Sequence, residues 1–315
     1  MLKNVREFCA HWQARLAYKF LFGRPRPYAS DFSVAIPFAA PSPGGLRCAV
    51  MIHLFHSDMA RAFHNLIRAS GLGADLLVTT DTAKKRDQIL AAFDGYTGGL
   101  VTVRIVENRG RDILPKLTAF NDEYAAYDLL LFLHSKKSNP VSGDAWREFL
   151  FDHLLGSPEI AASIVDLFRS NPKIGFVFPQ HFEPLRQYAD WGPWYNFPAA
   201  QPLARRLGFT LKRRAPIDFP SGSMFWCRPA ALLPLLELGL TRDDFPEEAG
   251  QTDGTIAHAV ERLFLYATEI AGFDWLKVAV PRHFERRETI VTLEGAAGAG
   301  AFLDRHRLVL MHGLR

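Results

Sequence analysis

The chain has 315 residues, 48% of them hydrophobic and 22% charged, with a net charge of +4. That length supports one large α/β domain or two small ones around a substantial core, and the small net charge excludes the basic footprint of a nucleic-acid binder. Three widely spaced cysteines, Cys9, Cys48 and Cys227, make neither a disulfide framework nor a metal pattern and point to a reducing cytoplasm.

Residues 4–22 are predicted to form an amphipathic helix, because Val5, Phe8, Cys9, Trp12, Leu16 and Phe20 recur at helical spacing. Charges interrupt this stretch throughout, so it does not read as a signal peptide, and no run of about 18 apolar residues marks a membrane span. Lys3, Arg6, Arg15, Lys19, Arg24 and Arg26 outweigh Glu7 here. Basic and aromatic residues together suit anionic headgroups, so residues 1–26 are expected to touch a membrane surface peripherally. The alternative is a helix packed on the domain or on a second subunit. Residues 23–46, rich in Pro, Gly and Ser, read as a linker.

The body alternates strand and helix. Strands are expected at 47–55, 75–80, 100–106 and 128–134, and helices at 59–70, 82–93 and 113–126, with Asp58 and Asp112 as candidate caps. The near-continuous apolar run DLLLFLH (128–134) is typical of a strand buried on both faces of a parallel sheet. Such alternation predicts an α/β fold with a mostly parallel central sheet. Further on, helices are expected at 144–155, 158–170 and 255–267, and strands at 175–179 and 223–227. Residues 180–218 read as a long irregular stretch rich in Trp, Tyr, Pro and Arg. Residues 47–285 are taken as the catalytic domain and 286–315 as a weakly patterned tail, with a mobile AGAGA at 297–301.

Ligands of open α/β sheets bind at the carboxyl ends of the strands. Those ends carry His53 and His56, Thr80 and Asp81, the run Glu107 to Asp112, and the run His134 to Ser138. Arg109, Arg111, Lys136 and Lys137 could neutralise a diphosphate, although loop cations are as often merely solvated. His53, inside a strand, reads as a core histidine. Motifs for P-loop nucleotide binding, dinucleotide binding, zinc hydrolysis and a serine elbow are absent. Neither Ser221 nor Ser223 has a sequence neighbour that would make it a nucleophile. Asp253 sits just before a helix whose apolar stripe is Ile256, Ala259, Val260, Leu263, Phe264 and Ala267. It is read either as an N-cap, contributing about 1 kcal/mol, or as a general base, with Glu247 and Glu248 as further acids. His258, Glu261 and Arg262 are placed on the polar, solvated face.

Residues 107–115 (ENRGRDILP), 127–138 (YDLLLFLHSKKS), 146–159 (WREFLFDHLLGSPE), 171–179 (NPKIGFVFP), 221–240 (SGSMFWCRPAALLPLLELGL) and 245–264 (FPEEAGQTDGTIAHAVERLF) together resemble the rhamnan synthesis protein F family of glycosyltransferase-like proteins. The resemblance spans roughly residues 47–270. It implies a GT-A-like nucleotide-sugar-binding domain that moves rhamnose or a related deoxyhexose from a nucleotide-diphosphate donor to a growing, lipid-linked surface polysaccharide of a bacterium. Asn108, Gly110 and their neighbours match the ENxG that follows the third strand in many GT-A enzymes. Where such enzymes place a metal-binding Asp-x-Asp, this chain reads His134-Ser135-Lys136-Lys137, so metal-independent transfer without a cofactor is expected. On this reading His56 and Asp81 contact the base and ribose. Asn108, Arg109, Gly110, Arg111, Asp112, His134, Lys136 and Lys137 hold the donor diphosphate, Asp253 is the base, and Trp191, Trp194 and Tyr195 stack on the acceptor. The alternatives are a non-catalytic nucleotide-sugar or glycan-binding module and a sugar-phosphate transferase.

Overall fold

The computed structural model describes residues 31–41, 45–135, 143–186, 189–192, 196–249, 251 and 253–314. The basic helix expected over 4–22, residues 23–30 and 42–44 of the expected linker, and Lys136, Lys137, Trp194 and Tyr195 lie outside the described residues.

Among the described residues nine strands form one sheet. In chain order they are β1 (Ser33–Ala35), β2 (Cys48–His53), β3 (Ala74–Thr80), β4 (Val101–Ile105), β5 (Leu129–His134), β6 (Ile174–Pro179), β7 (Phe225–Cys227), β8 (Asp274–Ala279) and β9 (Ile290–Val291). Their spatial order is β4-β3-β2-β5-β7-β6-β8-β1-β9. Every pairing is parallel except those of β7 with β5 and β6. The sheet is therefore mixed and mostly parallel. All residues of β2, β5 and β6 are buried, which explains their unbroken apolar sequences.

Alternate residues of these strands feed two cores. Met51, Leu130, Phe132, Phe176 and Phe225 face one core, and Val50, Ile52, Leu131, Leu133 and Trp226 face the other. Among the described residues the helices longer than one turn are α1 (Ala60–Ala69), α2 (Ala83–Ala92), α3 (Ile113–Thr118), α4 (Gly143–Leu155), α5 (Pro158–Ser170), α6 (Asn196–Arg206), α7 (Pro229–Leu236), α8 (Ile256–Ile270) and α9 (Ala299–His306). Leu263, Phe264 and Ala267 of α8 join the first core, whereas Phe63 and Ile67 of α1 and Ile164 and Phe168 of α5 join the second.

Local chemistry sets most boundaries. Thr82 and Ser157 cap α2 and α5, accepting from the backbone N–H of Lys85 and Ile160 at 3.3 Å each. Asp58 does not cap α1; it lies in a 3-10 turn, and the cap position falls on Met59. Helix α3 stops at Thr118, well short of the expected residue 126. Phe120 turns into the core, and the N–H of Glu123 closes a turn on the Phe120 carbonyl at 2.9 Å.

Stretches expected to be irregular also contribute to the sheet and core. Strand β1, within the expected linker, pairs with β8 and β9, and Val34 and Ile36 are buried. The expected tail supplies β9 and α9, and α9 buries Ala299, Phe302 and Leu303. These pieces are too short to show periodicity; the rest of the sheet orders them. Among the described residues no helix is long and apolar enough to cross a membrane.

Two features place a site. From β2 the chain builds β3 and β4 on one side and then β5 on the other, so the sheet switches direction between β2 and β5, where open α/β sheets hold ligands. Because β7 is antiparallel, the Ser221–Gly222–Ser223 turn that precedes it reaches the same rim as the carboxyl ends of the parallel strands.

Candidate active site

His53 and His134 end β2 and β5 in paired register at the switch point. The N–H of Ser135 donates to the His53 carbonyl at 2.9 Å, and Ser135 Oγ accepts from the N–H of His56 at 3.0 Å. His53 Nδ1 lies 2.9 Å from Thr79 Oγ1, and burial lowers the imidazole pKa to about 4, so this ring is a neutral, satisfied core histidine. At the end of β3, Asp81 pairs with Lys85 at 2.7 Å, and Lys85 also lies 4.0 Å from the centre of the Phe55 ring. His56 and Asp81 thus frame one wall of the rim.

After β4 the chain makes two consecutive left-handed residues, Gly110 (φ +66°) and Arg111 (φ +55°). A Cβ on Gly110 would meet Leu114 Cβ at 2.6 Å and the Phe245 ring at 2.8 Å, so only glycine lets this loop approach the acidic loop. The arginines are already engaged. Arg109 Nε donates to the Phe245 carbonyl at 2.8 Å. The Arg111 N–H donates to Glu248 Oε1 at 3.2 Å, and its guanidinium reaches Glu248 Oε2 at 3.5 Å, the Gln251 carbonyl, and His258 Nε2 at 3.2 Å. His258 Nε2 accepts that bond, and its Nδ1 lies 2.8 Å from Thr255 Oγ1 and 3.3 Å from the Thr255 backbone nitrogen. Burial, opposed by Asp253 but reinforced by Arg111 and Arg262, lowers the His258 pKa to about 4. Arg109 and Arg111, expected as diphosphate clamps, here fasten the loop after β4 to residues 245–258. Asn108 is exposed at the tip of the turn.

Asp112 makes no helix-cap bond. It pairs instead with Lys116, one helical turn on, whose ammonium also donates to Ser223 Oγ at 2.9 Å. His134 Nε2 donates to the Gly222 carbonyl at 2.8 Å and lies 3.9 Å from Asp112. The Gly222 N–H donates to Glu261 Oε1 at 3.1 Å. Burial pushes the Asp112 carboxyl pKa up, but His134 and Lys116 outweigh it and hold the group well below the usual carboxylate range.

Asp253 does not cap α8; Thr255 does. The Asp253 carboxylate lies 3.7 Å from Arg262 and accepts from the Gly254 N–H at 3.2 Å, with its side chain 10% exposed. Arg262 is buried, bonded to the carbonyls of Asp190 and His258 at 2.9 and 3.1 Å, and stacked 4.8 Å from the Phe219 ring. The solvated face expected for His258, Glu261 and Arg262 is in fact the face of α8 turned to the rim. Among the acidic-loop residues, Glu247 is exposed, and Glu248 is tied to Arg111.

Trp191 is a correction. It is 1% exposed, donates to the Ala215 carbonyl at 3.3 Å and packs against Tyr266, so it belongs to the core and presents no face to an acceptor. The sequence reading also missed Lys116 and Ser223. Lys116 carried one usable signal, a lysine four residues after Asp112 among Ile113, Leu114 and Leu117. Ser223 carried none, because its positive φ of 58° is set by the turn. Among the described residues no group of three His, Cys, Asp or Glu side chains converges as a metal site. A hollow of about 480 Å³, lined by residues including Glu269, Phe273, Arg307 and Met311, lies at the opposite end of α8 and shares no residue with the rim.

A family model described as rhamnan synthesis protein F matches residues 39–273. Uncharacterized proteins WxcX from two strains of Xanthomonas campestris pv. campestris are 34% identical over 272 residues, covering 82% of this chain and 36% of theirs. The chain thus spans about a third of the length of the curated relatives it matches. A solved structure of the mannosyltransferase PcManGT from Pyrobaculum calidifontis, in complex with GDP-Man and Mn2+, aligns at a TM-score of 0.41 and 13% identity over 92% of this chain and 67% of that one.

Proposed function

The chain belongs to the rhamnan synthesis protein F family, and from that membership we propose that it is a GT-A-like glycosyltransferase domain of surface-polysaccharide assembly. The observation that carries the reading is a convergence. The loop after β4, the end of β5, the Ser221–Gly222–Ser223 turn and the N-terminus of α8 meet at the β2–β5 switch point. Nucleotide sugars suit such a place, because base and ribose can lie across strand ends while cations and helix termini meet the phosphates.

In this reading His56 and Asp81 form the base and ribose wall. His134, Lys136 and Lys137 face the diphosphate, and Arg109 and Arg111 fix the loops around it. The acceptor hydroxyl gives its proton to Asp253 while its oxygen attacks the anomeric carbon and the diphosphate departs with the bonding electrons. Arg262 orients that carboxylate. Lysines in place of an Asp-x-Asp cancel the leaving-group charge without a divalent ion. Rhamnose or a related deoxyhexose is the proposed sugar, with a lipid-linked glycan as acceptor and residues 1–26 on an anionic membrane at the cytoplasmic face.

A donor screen that monitors nucleoside diphosphate release tests this reading. Release is expected with one nucleotide sugar and to persist in chelator. Asp253→Asn should keep donor binding and lose 10²–10⁴-fold in turnover. Near-normal turnover removes Asp253 from the role, and activity restored only by magnesium or manganese rejects metal independence. Nucleoside monophosphate as product means sugar-phosphate transfer, and binding without release means a non-catalytic module.

A further inference from the structure

A second polar cluster sits on the same rim, at the ends of β6 and β8. His181, just after β6, has Nε2 2.9 Å from Asp218 Oδ1 and Nδ1 3.0 Å from Ser221 Oγ. The other oxygen of Asp218 accepts from Lys277 Nζ at 2.7 Å. The Gln180 side chain accepts from the His181 N–H at 2.9 Å, and the Phe219 N–H donates to Asp218 at 2.9 Å. Asp218, His181 and Lys277 are buried, whereas Ser221 is partly exposed.

The wiring has a direction. Burial opposes ionisation of Asp218, but Lys277 and His181 hold its carboxyl well below the usual range, so it only accepts hydrogen bonds. Nε2 of His181 must then carry its proton toward Asp218, which leaves the Nδ1 lone pair for the Ser221 hydroxyl. A hydroxyl oriented onto a neutral imidazole, itself oriented by a buried carboxylate, is the arrangement that activates serine on unrelated folds.

We propose that Ser221 is a nucleophilic serine, with His181 as its base and Asp218 as the group that orients the base, and that it forms an ester with carbonyl or phosphorus electrophiles. In that step the Ser221 proton passes to His181 Nδ1. Oγ bonds to the carbonyl carbon or phosphorus, and the leaving group departs with its electron pair. Lys277 fixes Asp218 so that Oδ1 stays on His181. The following N–H groups, which in many serine enzymes stabilise the oxyanion, are engaged elsewhere. Gly222 donates to Glu261 at 3.1 Å, and Ser223 donates to the Pro220 carbonyl at 2.8 Å. Losing one such donor costs about 10²–10³-fold in rate, so Ser221 is a site of covalent modification that turns over slowly.

Incubation of the full chain with a fluorophosphonate, followed by intact mass and peptide mapping, tests this without any glycosyl transfer. One phosphonyl adduct is expected on Ser221, with loss of fluoride. Ser221→Ala should remove it, and His181→Gln should slow its formation at least tenfold at an unchanged denaturation midpoint. If the wild type carries no adduct on Ser221, or Ser221→Ala is labelled as fast, the proposal fails. The same holds if folded His181→Gln reacts at the wild-type rate. Should His181→Gln not fold, the wild type and Ser221→Ala decide the question alone.

Discussion

The two ends of the Ser221–Gly222–Ser223 turn anchor clusters built from the same four residue types. One side holds Asp112, Lys116, His134 and Ser223, and the other holds Asp218, Lys277, His181 and Ser221. Their wiring differs. On the first side lysine stands between aspartate and serine, so the ammonium donates to Ser223 Oγ and fixes it as an acceptor. On the second side histidine stands between them, and Ser221 donates its proton to an imidazole. Composition is equal; order decides whether a serine is a strut or a nucleophile. Burial differs too. The Asp218 and Lys277 side chains are 0% and 1% exposed, whereas Asp112 is 13% exposed, so the first cluster reaches the rim through its carboxylate and the second through Ser221.

That contrast can be broken by stability measurements. The largest effect is expected from Lys277→Met, which strands a fully buried carboxylate and should cost about 3–5 kcal/mol in urea unfolding. Lys116→Met should cost less, because Asp112 can reach water; the reverse ranking would remove the distinction between a sealed and an open carboxylate. Acid comes next. Both aspartates have folded pKa values below their unfolded ones, so their stabilisation is complete above about pH 4 and is lost as pH falls toward the folded values. Each carboxyl contributes a slope of up to about 1.4 kcal/mol per pH unit there, and Asp112→Asn should remove one share. An unchanged slope would mean that Asp112 is not held ionised. The smallest effects separate the serines. Ser223→Ala loses a bond from an ammonium and should cost about 1.5–3 kcal/mol, whereas Ser221→Ala loses a neutral bond and should cost about 0.5–1.5 kcal/mol. Equal costs would contradict the difference in wiring.

The sequence by itself determined the strand–helix alternation of the body, the buried parallel strands, the family, and the segments that reach the rim. Apolar runs and caps are local signals, and β2, β3, β5, α2 and α5 fall within a residue or two of their expected bounds. It placed Asp253 just before α8 and His134 at the end of β5, because strand ends and helix starts are written in neighbouring residues. Only the tertiary structure decided who pairs with whom. Arg111 meets His258 across 147 positions, Lys116 meets Ser223 across 107, and Lys277 meets Asp218 across 59. Trp191 entered the core, and Arg262 turned from an expected solvated face into a buried support for Asp253. No periodicity encodes such pairs. A buried charge is tolerated only where folding brings its counter-charge within hydrogen-bond reach, and chain separation carries no record of that meeting.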